Sequence, residues 1–179
     1  MTSKQFDVAY ARTLAFEKGY SNDTADRGGK TKNGITQEVW EEFGGEGDVS
    51  GMTSTVQRNL YLKKYWEGSG VSELCEGGVP QDLLSEAFDA CVNHGIYGGV
   101  KRLQAAYNLV KADGPDLAVD GILGRKSLAA ISGFCGVGRN YCDSLLAALR
   151  GERWNLYTSL SVSDPSQRKF IRGWLRRLV

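Results

Sequence analysis

The sequence predicts an all-α fold, with room for a small β-ribbon only in the loop between residues 20 and 36. Three observations carry this. Apolar residues recur at helical spacing in one segment after another, and no stretch alternates apolar with polar residues as a half-buried strand does. The 23 glycines, against 3 prolines, gather at 28–29, 44–47, 68–70, 77–78, 98–99 and 136–138. They cut the chain into helix-length pieces joined by tight turns.

Each element follows from its own pattern. Phe6, Ala9, Tyr10, Thr13 and Leu14 form a stripe that, continued by three residues, lands on Glu17; Gly19 then caps a helix that stops near Lys18. Tyr20 to Ile35 is a polar, glycine-containing loop in which Asn33-Gly34 suits a tight hairpin turn. Thr36 caps a short helix carrying Val39, Trp40 and Phe43, and Thr53 opens another with Val56, Leu60 and Tyr65. Pro80 introduces a central helix with Leu84, Ala87, Phe88, Cys91 and Val92 on one face and Gly95 beyond its end. Val100, Leu103, Tyr107 and Val110 mark the next. After Asp113-Gly114-Pro115 and the turn Asp120-Gly121-Ile122-Leu123-Gly124 comes a short segment with Leu128, Ala129 and Ile131.

A long helix runs from Tyr141 through Leu145, Ala148, Leu149, Leu156 and Leu160, with Gly151 weakening its middle by about 1 kcal/mol relative to alanine. The last helix starts at Asp164-Pro165-Ser166-Gln167, an N-cap, a first-turn proline and an N3 glutamine, and carries Phe170, Ile171, Trp174, Leu175 and Leu178. Arg172, Arg176 and Arg177 fall outside that stripe and read as a solvated basic face complementing the helix dipole.

Composition excludes several functions. A net charge of +1 lacks the basic surplus needed to neutralise duplex phosphates, so nucleic acid is not an expected partner. No run approaches the roughly 18 apolar residues of a membrane span, and Met1 to Asp7 lacks a signal peptide's apolar stretch, so the chain is expected to be made in the cytoplasm. The cysteines at 75, 91, 135 and 142 are too few and irregular for a disulfide framework and read as free thiols. Cys91 and His94 have no second ligand pair at zinc spacing, so neither metal nor other cofactor is expected. With His94 the single histidine, carboxylates become the candidate reacting groups.

Glu17 stands on the core-facing stripe and in the last turn of its helix, where the dipole is negative. Both disfavour the anion and suit a general acid that must stay protonated near neutral pH. The alternative is a helix that ends one residue earlier, with Glu17 pointing to water. Next in the chain, Ser21, Asn22, Asp23, Asp26, Thr31, Asn33 and Thr36 concentrate polar groups in a glycine-containing loop suited to a sugar chain. Asp26 fits the second carboxylate of glycoside hydrolysis, or, like Asp23, only a turn hydrogen bond. The spacing does not match a calcium loop.

The run Glu17-Lys18-Gly19-Tyr20-Ser21-Asn22, then Asp26-Arg27-Gly28-Gly29-Lys30-Thr31, then Asn33-Gly34-Ile35-Thr36 resembles the N-terminal signature of glycoside hydrolase family 108, the N-acetylmuramidases. Tyr65-Trp66, Phe88-Asp89 with Val92-Asn93 and Gly95, Leu103-Gln104, the Asp120 to Gly124 turn and Gly173-Trp174-Leu175 with Arg177 extend the resemblance along nearly the whole chain. It implies a lysozyme-like helical fold, a catalytic region over 1–97 and a helical peptidoglycan-binding region over 98–179 packed on it. Glu17 matches the family's catalytic glutamate. Asp26 becomes the base or electrostatic partner, and Thr31 a residue that positions water. Lys18 replaces the usual glycine after the glutamate and Arg27 a frequent proline; neither removes a reacting group.

The candidate substrate-binding residues are Tyr20, Ser21, Asn22, Thr36, Asn93, Tyr97 and Asp120, of which Asn93 and the Asp120 turn follow from the resemblance. Asn93 reads equally as a helix C-cap, and Asp120 as part of a tight interhelical turn. Trp40, Tyr65, Trp66 and Tyr97 suit stacking on sugar rings, although the tryptophans read more as core. The implied activity is hydrolysis of the β-1,4 bond between N-acetylmuramic acid and N-acetylglucosamine, in host lysis or in protein release through the wall. A lytic transglycosylase and a non-catalytic wall-binding accessory protein are the alternatives. The implied partners are peptidoglycan strands and a holin-like export pore for a monomer that acts in the periplasm or wall.

Overall fold

The computed structural model describes residues 4–17, 19–21 and 29–179, and among them lie eight α-helices and one three-stranded antiparallel ribbon. Helix α1, Lys4–Leu14, buries Phe6, Ala9 and Thr13, the stripe the sequence predicts. It ends sooner than the Gly19 cap predicts. Phe16 and Glu17 donate their N–H groups to Thr13 (3.1 Å) and Leu14 (3.0 Å), so two tightened turns, not a further α-helical turn, deliver Glu17.

Strands β1 (Tyr20–Ser21), β2 (Thr31–Lys32) and β3 (Ile35–Thr36) pair in that order, with Lys32 opposite Ile35 across Asn33-Gly34. Asn33 and Gly34 both have positive φ, 46° and 81°, as the predicted two-residue hairpin turn requires. Thr36 caps α2 (Gln37–Glu42) and Thr53 caps α3 (Ser54–Leu60); each hydroxyl accepts from the N–H three residues on. Helix α3 runs on into a π-helical segment, Tyr61–Glu67, that buries Tyr61, Tyr65 and Trp66.

Helix α4 (Val71–Glu76) leads to α5, Gln81–Val110, which bends at Gly95, whose φ of 68° and ψ of 160° are not helical. The stop predicted at Gly95 is therefore a kink between two helical halves. Helices α6 (Arg125–Val137), α7 (Arg139–Ser163) and α8 (Arg168–Arg176) complete the chain, with Asp164 accepting from the Ser166 N–H ahead of α8. The buried face of α7 departs from the expected one. It follows Leu145, Leu149, Arg153, Tyr157 and Ser161, each four residues on from the last, and leaves Leu156 and Leu160 only half-buried.

Helix α5 is the axis of the molecule, with α1 and α7 packed along it and every residue from Leu83 to Cys91 buried. One continuous apolar cluster runs from Phe6 and Ile35 through Phe88 to Ile131, Leu145 and Leu149, so both halves of the chain share a core. Phe6, Trp66 and Phe88 meet edge to face at 5.8–5.9 Å at its N-terminal end. Wrapping α5 from every side also buries Glu86 and Asp89, and the fully buried Arg153 of α7 pairs with both. Removing one partner of such a set leaves uncompensated buried charge. Arg153→Met is expected to lower stability by about 3–5 kcal/mol in a urea titration.

Candidate active site

Glu17 emerges from the end of α1 with its side chain about nine-tenths covered. Three elements enclose it. The hairpin turn passes over it so closely that a Cβ on Gly34 would lie 2.8 Å from the Glu17 Cδ and 2.8 Å from the Tyr61 hydroxyl. The π-helical segment supplies Tyr61, which donates to the Asn33 carbonyl at 2.7 Å and so ties the turn down. Burial first and the Glu17 charge second push the Tyr61 pKa well up, which keeps this hydroxyl a donor. Asn33 adds a bond from its Nδ2 to Gln57 (2.9 Å), and its N–H bonds the Gly19 carbonyl (2.8 Å).

The third element comes from the far end of the sequence. Arg177, just past α8, reaches Glu17 Oε1 at 2.7 Å and Asp89 Oδ1 at 2.9 Å. Asp89 is also held by Arg153 at 2.6 Å; Arg153 binds Glu86 in turn, and Glu86 takes Arg12 (2.9 Å) and Arg150 (3.2 Å) at the solvent edge. Arg12 also donates to the Arg177 carbonyl at 3.1 Å. The result is an alternating chain of charge, Glu17, Arg177, Asp89, Arg153, Glu86, that fixes the candidate acid to α5, α7 and α8.

Arg177 was read from the sequence as part of a solvated basic face; it is buried and paired on both sides, because the helix end turns inward onto Asp89 and Glu17. Arg153, Asp89 and Glu86 had no assigned role at all. One signal marks Arg153: it continues the apolar spacing of Leu145 and Leu149 and precedes Tyr157, whose hydroxyl it binds at 3.0 Å.

The other predicted residues fall in different places. Asp26 and Asn22, like Lys18 and Arg27, lie outside the described residues. Tyr20 and Ser21 form β1, with Ser21 opposite Thr31. The Thr31 hydroxyl donates to the Gly29 carbonyl at 3.0 Å, and that of Thr36 accepts from Val39 as a helix cap. Asn93 donates back to the Asp89 carbonyl at 2.9 Å, one turn upstream. Tyr97 stands past the Gly95 kink, well exposed, against Gly121 and with the Lys101 ammonium 4.4 Å from its ring. Asp120 Oδ1 accepts from Gln104 and from the Ile122 N–H, both at 2.9 Å, and these bonds lower its pKa. Tyr97 and Asp120 therefore stand together at the 120–124 turn. Trp40 and Trp66 are core, as expected, and Tyr65 is buried with them.

An enclosed glutamate after the first helix, overhung by an Asn-Gly hairpin, can now be set beside known proteins. Residues 10–95 match glycosyl hydrolase 108. That match spans nearly half of the chain, at its N-terminal end. Residues 95–179 match a second family, the predicted peptidoglycan domain. Among solved structures, SagA of Brucella abortus is similar with a TM-score of 0.73 and 25% identity, over 97% of this chain and 88% of that one. Comparison with curated proteins gives no match. With a glycosidase domain and a peptidoglycan domain on one shared core, the chain is a peptidoglycan hydrolase of the muramidase class.

Two expectations follow from this geometry. Gly34→Ala places a methyl group against the Glu17 carboxyl at a positive φ, so peptidoglycan turnover should fall at least roughly tenfold while the helical circular dichroism is retained. His94, 5.3 Å from the Tyr157 ring, has its pKa pushed down to about 3 by burial first and then by Arg153, Arg102 and Arg177. The folded chain leaves it neutral while the unfolded chain protonates it below its ordinary 6.5, so its contribution is complete above pH 6.5 and is lost as the pH falls toward 3. Denaturation midpoints should show a loss of about 2 kcal/mol by about pH 5, and His94→Gln should flatten that slope.

Proposed function

We propose that the protein cleaves the β-1,4 bond between N-acetylmuramic acid and N-acetylglucosamine, as a lysozyme does, with Glu17 as general acid. The observation that carries this reading is the fixed orientation of one carboxyl group. Arg177 takes Oε1, while Oε2 lies beside the backbone of Gly34. Oε2 is thus the atom that carries the proton to the glycosidic oxygen, and glycine at 34 keeps any side chain out of its way.

Asp26 acts as the base for water or as the electrostatic partner of the oxocarbenium-like transition state, the second carboxyl role of glycoside hydrolysis. Thr31 positions that water, and Tyr20, Ser21, Asn22, Thr36 and Asn93 hold the sugars that flank the bond. Tyr97 and Asp120, on the far side of the kink, hold the strand where it crosses the peptidoglycan domain. The enzyme works as a monomer in the periplasm or wall, reached through a holin-like pore, and serves cell lysis or protein release.

The test is a digest of purified peptidoglycan, with products reduced by borohydride and weighed by mass spectrometry. Wild type should release reducing N-acetylmuramic acid ends. Glu17→Gln should fold with unchanged circular dichroism and lose roughly two to four orders of magnitude in rate, and Asp26→Asn at least roughly two. Anhydro ends would instead make the enzyme a transglycosylase, and an Asp26→Asn rate within a few fold of wild type would remove Asp26 from the mechanism.

A further inference from the structure

A second concave site lies in the peptidoglycan domain, away from Glu17. The segment between α5 and α6 and the first turns of α6 enclose a cavity of about 710 Å³, within the size range of small-ligand sites. Its wall is built, not incidental. Asn108 of α5 grips Leu117 with two bonds of 2.8 Å, one to its carbonyl and one from its N–H. The buried Gln104 binds Asp120, the Ile122 carbonyl and Ser127, and accepts from the Gly121 N–H. Both flanks of the cavity are therefore pinned from the same helix before any ligand arrives.

The lining suggests the ligand's chemistry. Pro115, Leu117 and Ala130 supply small apolar surfaces, and the one aromatic lining residue, Tyr107, is held edge to face by Phe134 at 5.6 Å instead of offering a flat platform. Sugars, which favour open aromatic faces, are poorly served by this. Charge of both signs lines the cavity. Asp116 is paired with Lys111 at 2.9 Å, whereas Asp113, Arg125 and Lys126 form no ion pair among the described residues. Methyl-sized apolar surface beside two unpaired cations and one unpaired carboxylate matches a short peptide with free carboxylates and an amino group.

We infer that this cavity binds the peptide stem of peptidoglycan, with Arg125 and Lys126 on stem carboxylates, Asp113 on an amino group, and the Pro115, Leu117 and Ala130 wall on alanine methyl groups. The inference rests on the peptidoglycan reading above and adds which part of the polymer the second domain grips. The enzyme would then recognise peptide-bearing strands and cut the glycan they hang from.

The test is calorimetric titration of full-length Glu17→Gln, which cannot consume its ligand, with a disaccharide carrying a tetrapeptide stem, with the same disaccharide without peptide, and with the free tetrapeptide. The stem-bearing ligand is expected to bind at least roughly tenfold more tightly than the bare disaccharide. That margin should disappear when Ala130→Trp fills the cavity, and independently when the exposed pair is neutralised in Arg125→Ala/Lys126→Ala. Equal affinity for both disaccharides, or a margin that survives the double alanine variant, overturns the inference. The muramidase reading fails separately, if wild type releases no reducing ends from wall to which the variant binds.

Discussion

Everything around the candidate acid depends on the guanidinium of Arg177. It is the link between a carboxyl at the end of the first helix and one in the middle of the fifth. The pairing continues through Arg153 to Glu86, so each buried charge has an opposite neighbour on either side until Arg12 and Arg150 return the series to water. Burying ions costs several kcal/mol each, and a chain of this kind is a weak source of net stability. What it supplies is position. A guanidinium fork admits few geometries with two carboxylates, so the Glu17 side chain has one place to be when α8 is seated. His94 shows the same field from the other side: buried first of all, and then crowded by three arginines, it stays neutral far below its ordinary range.

The helical framework was legible because it depends on local chemistry. The Phe6 to Leu14 stripe, the threonine caps at 36 and 53 and the Asn33-Gly34 turn each follow from a few neighbouring residues, and all appear as expected. Glu17 was legible for the same reason, since three residues beyond Leu14 on an apolar stripe is an inward position whether the chain continues as α-helix or as tightened turns. The partners of Glu17 were not. Arg177 is 160 residues away and Arg153 meets Glu86 across 67, and no local pattern links such positions. Arg177 also resembles its neighbours: Arg172 and Arg176 on the same short segment are exposed, and only the turn after Arg176 separates the buried arginine from them. The Thr36 hydroxyl has an ordinary capping duty as well, one that its sequence context already implied.

The two family matches meet at residue 95, and Gly95 is also where α5 bends. A boundary inside a helix, with a common apolar cluster on both sides of it, is not a linker between independent domains. Residues 83 to 91, on the glycosidase side, are buried partly by α7, and Glu17 of the glycosidase half is held by an arginine of the other half. The division into a catalytic and a binding region is thus one of sequence family more than of mechanics. The glycosidase half contributes the carboxyl and the hairpin that overhangs it, and the peptidoglycan half contributes the charge that aims it. In this arrangement the Glu17 carboxyl is held in place only when the peptidoglycan half is folded around it, so the two halves form one packed body.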